Sequence, residues 1–145
     1  MSRVYLITED KPLPLCDRQV ERESSVTVEG KSFAISFVQG FRVAKHSYYR
    51  HAVDRLGYSM LPWQYELEAE VHETDLAHLK AYLTENFRSG ETAELWSVWV
   101  GNDRSGELPH LCCRLEDLDL KLLERLLKPG PKGGVPAQCR MTITI

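Results

Sequence analysis

Gln64-Tyr65-Glu66-Leu67-Glu68-Ala69-Glu70-Val71-His72 is the stretch whose reading decides the fold. Successive side chains of an extended chain point to opposite sides, so Tyr65, Leu67, Ala69 and Val71 share one face and Gln64, Glu66, Glu68, Glu70 and His72 the other. That alternation predicts a half-buried strand over 65–72. Moving forward, Thr74 is a good N-cap, Leu76, Leu79, Leu83 and Phe87 trace an apolar stripe, and Ser89-Gly90 stops it, which predicts a helix over 75–87. Glu94 to Val100 carries Trp96, Val98 and Val100 on one parity and Leu95 and Trp99 on the other. A strand apolar on both faces belongs in the middle of a sheet. After the turn-rich run 101–106 comes a short strand, Leu108 to Arg114. Asp117 is then predicted to cap a helix over 117–128, with Leu118, Leu122, Leu123, Leu126 and Leu127 on one side and the Pro- and Gly-rich run 128–134 as its stop. Cys139, Met141, Ile143 and Ile145 alternate with polar residues in a closing, half-buried strand.

The part before residue 64 reads less regularly. Val4 to Ile7 is an opening strand broken by Lys11-Pro12-Leu13-Pro14, and Asp17 to Ser24 is charged without a period. Val26 and Val28 alternate towards Glu29-Gly30-Lys31, and Phe33, Ile35 and Phe37 resume the alternation, which predicts a hairpin. Gln39-Gly40 then reads as a bulge or second turn, extending the hairpin through Phe41-Arg42-Val43 into a meander. Tyr49, Ala52, Val53 and Leu56 predict a helix over 47–56, stopped by Gly57.

These elements predict one domain over 1–145: a strand, meander and helix over 1–63, then a βαββαβ, ferredoxin-like part over 64–145. The fold class is α+β, with a mixed, largely antiparallel sheet and helices mainly on one face. Composition agrees. The chain has 145 residues, 43% apolar and 27% charged, which excludes disordered, collagen-like, coiled-coil and membrane-spanning classes. A folded protein of this mass exposes about 7,600 Å² of the ~24,000 Å² of its unfolded chain, so a core forms without staples.

The 18 Lys and Arg against 21 Asp and Glu give a net charge of −3, short of the positive excess that phosphate-backbone binding relies on. Nucleic acid is therefore disfavoured as a partner. Four cysteines include the vicinal pair Cys112-Cys113, a poor element for a disulfide framework and a better fit to free thiols in a cytoplasmic setting. The first residues turn polar too early for a signal peptide, and no run approaches a membrane span. His110, Cys112 and Cys113, with Cys139 or Cys16, lack metal-ligand spacing, so neither a metal nor a cofactor is predicted.

Three function classes follow. A non-catalytic interaction protein, of the immunity, inhibitor or accessory type, would use the acidic row Glu66, Glu68 and Glu70 against a protein with a basic surface, with Trp63 as an aromatic anchor. An anion- or small-molecule-binding domain, or an enzyme, would use the basic stretch Arg42, His46, Arg50, His51 and Arg55. An RNA-binding module would use Trp99 as a stacking platform. No nucleophile, base and orienting group recur in a catalytic pattern, which places the non-catalytic class first. The segments 46–63 and 96–99 loosely resemble small bacterial or phage proteins, a resemblance that names no family.

Overall fold

The computed structural model describes residues 2–101, 108–130 and 137–145. Its main sheet has seven strands: β1 (Ser2–Glu9), β2 (Cys16–Asp17), β5 (Arg42–Lys45), β6 (Trp63–Glu68), β7 (Thr92–Val100), β8 (His110–Arg114) and β9 (Cys139–Thr144). The spatial order is β2-β5-β6-β1-β7-β9-β8, antiparallel throughout except for the parallel pair β8 and β9. Strands β3 (Val20–Val28) and β4 (Lys31–Gln39) pair only with each other, as a separate two-stranded ribbon. The helices are α1 (Arg50–Asp54), α2 (Glu73–Asn86) and α3 (Leu120–Leu127).

The two faces of the sheet are covered unequally. On one, Ile7, Leu67, Leu95 and Met141 pack under Leu79, Tyr82 and Leu83 of α2 and Leu123, Leu126 and Leu127 of α3. On the other, Val4, Leu6, Trp96, Val98 and Val100 meet Val53 of α1 and the segment holding Leu56, Tyr58 and Met60. The α+β class and the largely antiparallel sheet are as the alternation predicts. No helix among the described residues is long and apolar enough to cross a membrane. Leu6, Leu83 and Leu123 are wholly buried, and truncating a leucine so placed to alanine costs about 2–5 kcal/mol.

Several expectations are corrected. The ferredoxin-like interleaving of residues 64–145 is not reproduced: β1 inserts between β6 and β7, and β8 lies directly beside β9. The meander does not form, because β4 never joins β5; β5 pairs instead with β2 and β6. The strand at 65–72 ends at Glu68, and α2 is capped by His72, whose Nδ1 accepts from the Thr74 N–H at 3.1 Å, in place of a Thr74 cap. Asp117 lies in a 3-10 turn, Leu115–Asp117, and it is Asp119 that caps α3 by accepting from the Leu122 N–H at 2.9 Å. The helix at 47–56 is shorter too, Arg50–Asp54, entered through Tyr49 without a side-chain cap. The expected turn at 101–106 and stop at 128–134 fall mostly outside the described residues.

One buried group works against this core. Glu9 ends β1 nearly out of solvent; its Oε1 accepts from the Asp10 N–H at 3.1 Å and its Oε2 has no partner among the described residues. Burial first, aided by the Asp10 carboxylate, pushes the Glu9 carboxyl up to about 7. A raised carboxyl binds its proton more tightly folded than unfolded, so the stability it supports is full below the unfolded value near 4.5 and is lost as pH rises through about 7. Glu9→Gln, which keeps the shape and stays neutral, is expected to stabilise the protein by ~2 kcal/mol at pH 8 and to add little at pH 4. Urea unfolding at the two pH values checks this; an equal effect at both would refute it.

Candidate functional site

In the ribbon β3–β4, every residue from Val20 to Val38 is exposed. The two-residue turn Glu29-Gly30 has φ of 51° and 75°, the left-handed pair whose twist suits a tight hairpin. Register then sorts the side chains. Val20, Arg22, Ser24, Val26 and Val28 lie opposite Gln39, Phe37, Ile35, Phe33 and Lys31 on one face. The other face carries Glu21, Glu23, Ser25 and Thr27 opposite Val38, Ser36, Ala34 and Ser32. One side is thus apolar with two cations, and the other polar with two acids. Val20, Val26, Val28, Phe33, Ile35 and Phe37 are each 37–54% exposed on the apolar side. The whole molecule exposes 8989 Å², more than the ~7,600 Å² of a compact chain of this mass, and the ribbon accounts for part of the excess.

The acidic row turns out to sit at the ribbon's neck. Gln19 Nε2 donates to Glu68 Oε2 at 2.5 Å, Gln39 Nε2 donates to Glu70 Oε2, and Arg42 pairs with Glu68 at 3.5 Å. Asp17 Oδ1 accepts from the Gln19 N–H at 2.9 Å, and the Arg18 N–H donates to the Phe41 carbonyl at 2.9 Å, so both legs are tied to the body. Between them lies Gly40, at φ 135°, where a Cβ would stand 3.1 Å from the Arg18 carbonyl oxygen and 3.2 Å from the Gln19 Cα. The legs cross in contact, and only glycine fits. A cleft of about 320 Å³ opens beside this neck, lined by Glu66, Glu68 and Glu70 with Gln19, Gln39 and Arg3. A second of about 170 Å³ shares Gln39, Gly40 and Glu70 and adds Arg18, Arg22, His72 and His78. Burial, and then Glu68, raises the Glu66 carboxyl, with Arg42 opposing. Trp63, 47% exposed, begins the strand that Glu68 ends, so anchor and acidic row are separated by the length of β6.

The basic residues are distributed differently. His46 is buried, neither ring nitrogen has a hydrogen-bond partner among the described residues, and Nδ1 lies 3.8 Å from Glu66 Oε1. Burial first, and then Arg50, lowers its imidazole below the ordinary value, against Asp54, so the contact with Glu66 is not an ion pair at neutral pH. Arg50 pairs with Asp54 at 3.7 Å, Arg42 is turned to Glu68, and His51 and Arg55 are exposed. His46 and Arg50 are thereby brought together, whereas Arg42 is held by the acidic row. As for stacking surfaces, Trp96 is buried against Tyr58 at 5.7 Å, and the Trp99 ring carries the Arg3 guanidinium at 5.4 Å.

Cys112 lies 3.7 Å from His110 Nε2, a spacing that invites a nucleophile reading. The partners of that imidazole decide its chemistry. Arg140 has a terminal guanidinium nitrogen 3.0 Å from His110 Nδ1, and Thr142 Oγ1 lies 2.7 Å from Nε2. A guanidinium only donates, so Nδ1 accepts and the neutral ring carries its proton on Nε2. The nitrogen facing the thiol therefore has no lone pair to take its proton, and the pair lacks the base of a cysteine nucleophile. Among the described residues no group of three or more His, Cys, Asp and Glu has the geometry to hold a metal.

No protein-family model matches the chain, and neither a curated protein nor a solved structure matches it significantly. The sequence places Phe33, Ile35 and Phe37 on a hairpin; it misses that the alternation continues back through Ser24 and Arg22 to Val20. Those two polar residues break the apolar run on β3, and this is why 17–24 reads as patternless.

Two measurements follow. Gly40→Ala forces a Cβ against two backbone groups in a disfavoured region, so a loss of about 1–3 kcal/mol is expected, with faster amide exchange in β3 and β4. Unchanged stability and exchange would show that the neck is not tight. All four cysteines are free, Cys112 is exposed and Cys139 buried, and burial raises the thiols of Cys113 and Cys139. In native protein, thiol reagent is expected to react first with Cys112 and to reach Cys139 only on unfolding; rapid labelling of Cys139 would contradict its burial.

Proposed function

We propose that this is a non-catalytic protein-interaction protein, of the immunity, inhibitor or accessory type, acting in the cytoplasm, and that its contact surface is the apolar face of the β3–β4 ribbon. The observation that carries the reading is six apolar side chains exposed on one side of a ribbon that no other element among the described residues covers. A two-stranded hairpin is marginally stable alone in water, and a concentrated apolar patch rimmed by charge is the usual mark of a contact surface. Phe33 and Phe37 are the natural anchors, since aromatic side chains supply large contact area at low entropic cost. The acidic row acts indirectly in this reading: through Gln19 and Gln39 it sets the direction in which the ribbon leaves the body. The free thiols support the cytoplasmic assignment.

The test is quantitative affinity capture from source cells with three baits: wild type, Phe33→Ala with Phe37→Ala, and Glu66→Gln with Glu68→Gln and Glu70→Gln. A partner retained by wild type is expected to drop by ~30-fold or more with the ribbon variant, the loss of about one hot spot. It is expected to fall only modestly with the glutamine variant. Undiminished capture by the ribbon variant, with loss on the glutamine variant, would transfer the contact surface to the acidic row.

A further inference from the structure

The geometry points to a second copy of this chain as an occupant of the ribbon's apolar face: two ribbons stack face to face, antiparallel, about a two-fold axis crossing them at Ser24 and Ile35. This deepens the reading of the ribbon as a contact surface and rests on it. The register supplies the argument. A two-fold axis in the plane between stacked ribbons, perpendicular to their length, lays β3 on β3 and β4 on β4 in reverse order. With the axis at Ser24 and Ile35, Val20 lies over the second copy's Val28, Arg22 over its Val26, Phe33 over its Phe37 and Lys31 over its Gln39. Every apolar side chain then meets a side chain or stem that can cover it, and neither cation on this face stands opposite a cation. The acids Glu21 and Glu23 remain on the outer side, in solvent.

Size and sterics agree with that arrangement. The six exposed apolar residues present roughly 500 Å² per ribbon, so stacking two removes up to ~1,000 Å², the size at which specific interfaces begin, before the stems of Arg22 and Lys31 are added. Stacked sheets lie ~10 Å apart, and nine residues of strand span ~30 Å. Antiparallel ribbons therefore put the two bodies at opposite ends, whereas a parallel stack brings both bodies to one end within that narrow spacing. Four strands in two layers also give the hairpin the burial that a lone ribbon lacks.

The test is the oligomeric state by sedimentation equilibrium across the micromolar range. Wild type is expected to dimerise, Phe33→Ala with Phe37→Ala to weaken the dimer by ~30-fold or more, and the body's unfolding to stay unchanged because the ribbon lies outside both cores. Ser24→Glu and Ser24→Arg, each setting like charges face to face on the axis, are each expected to be monomeric, and mixing them to restore a heterodimer. A parallel stack sets Ser24 against Ile35 and gives no such rescue. Wild type that is monomeric throughout, or a dimer indifferent to all these variants, overturns the inference. A monomer whose ribbon variant still loses a different captured protein overturns it while leaving the contact-surface reading intact; a monomer whose ribbon variant captures as wild type does overturns both.

Discussion

The structure depends on β1 being paired along both edges. Leu6 and Ile7 are wholly buried on opposite faces, Leu6 lies between Glu66 of β6 and Trp96 of β7, and Ile7 between Tyr65 and Leu95. A strand hydrogen-bonded on both sides and buried on both faces is the most constrained position in a sheet, since a slip of one residue would exchange Leu6 with Ile7 and carry every polar neighbour into the wrong layer. With β1 in place, β6 and β7 run parallel to each other across it, and α2 must cross one face to join them. The face left to α1 and the segment after it is smaller and more polar, with Thr8, Glu94 and the Trp96 indole closing a hydrogen-bonded group at its centre.

That closure leaves the ribbon without a place in the sheet. One edge is occupied by β2, only two residues long, and the other by β8. The chain between β2 and β5 is long enough for two nine-residue strands, and β2, the sheet edge at its exit, offers them only two residues of ladder. They pair with each other and leave the body through the crossing at Gly40. The carboxylates of Glu68 and Glu70 then find amide donors on the ribbon's legs, a pairing that offsets the repulsion between acids two residues apart. An acidic row that alternation marks as a free surface is thus half absorbed into a mechanical joint.

Much of the architecture was legible because local periodicity is itself a burial signal. The closing strand alternates buried and half-buried residues from Cys139 to Thr144 as its pattern requires, and the doubly apolar β7 lies between β1 and β9. Helix ends were read a turn or less away, because His72 and Asp119 compete with Thr74 and Asp117 as caps and only the path of the chain decides between them. The candidate site was less legible. Phe33, Ile35 and Phe37 carry the same alternation whether they face a core or a partner, and nothing local distinguishes the two.

The sequence by itself determined the class of fold, the existence and type of most elements, a turn within Glu29-Gly30-Lys31, and, outside the first half of β3, which residues share a strand face, because these follow from backbone stereochemistry and the two-residue period of a strand. Only the tertiary structure decided that β1 would divide β6 from β7, that β8 would run parallel to β9, and that the 20–39 hairpin would stand apart with its apolar side exposed. Those outcomes are set by competition among distant partners for a limited number of sheet edges and core faces. A pattern of alternating residues states that one side seeks burial, and the assembled molecule determines what is left to bury it.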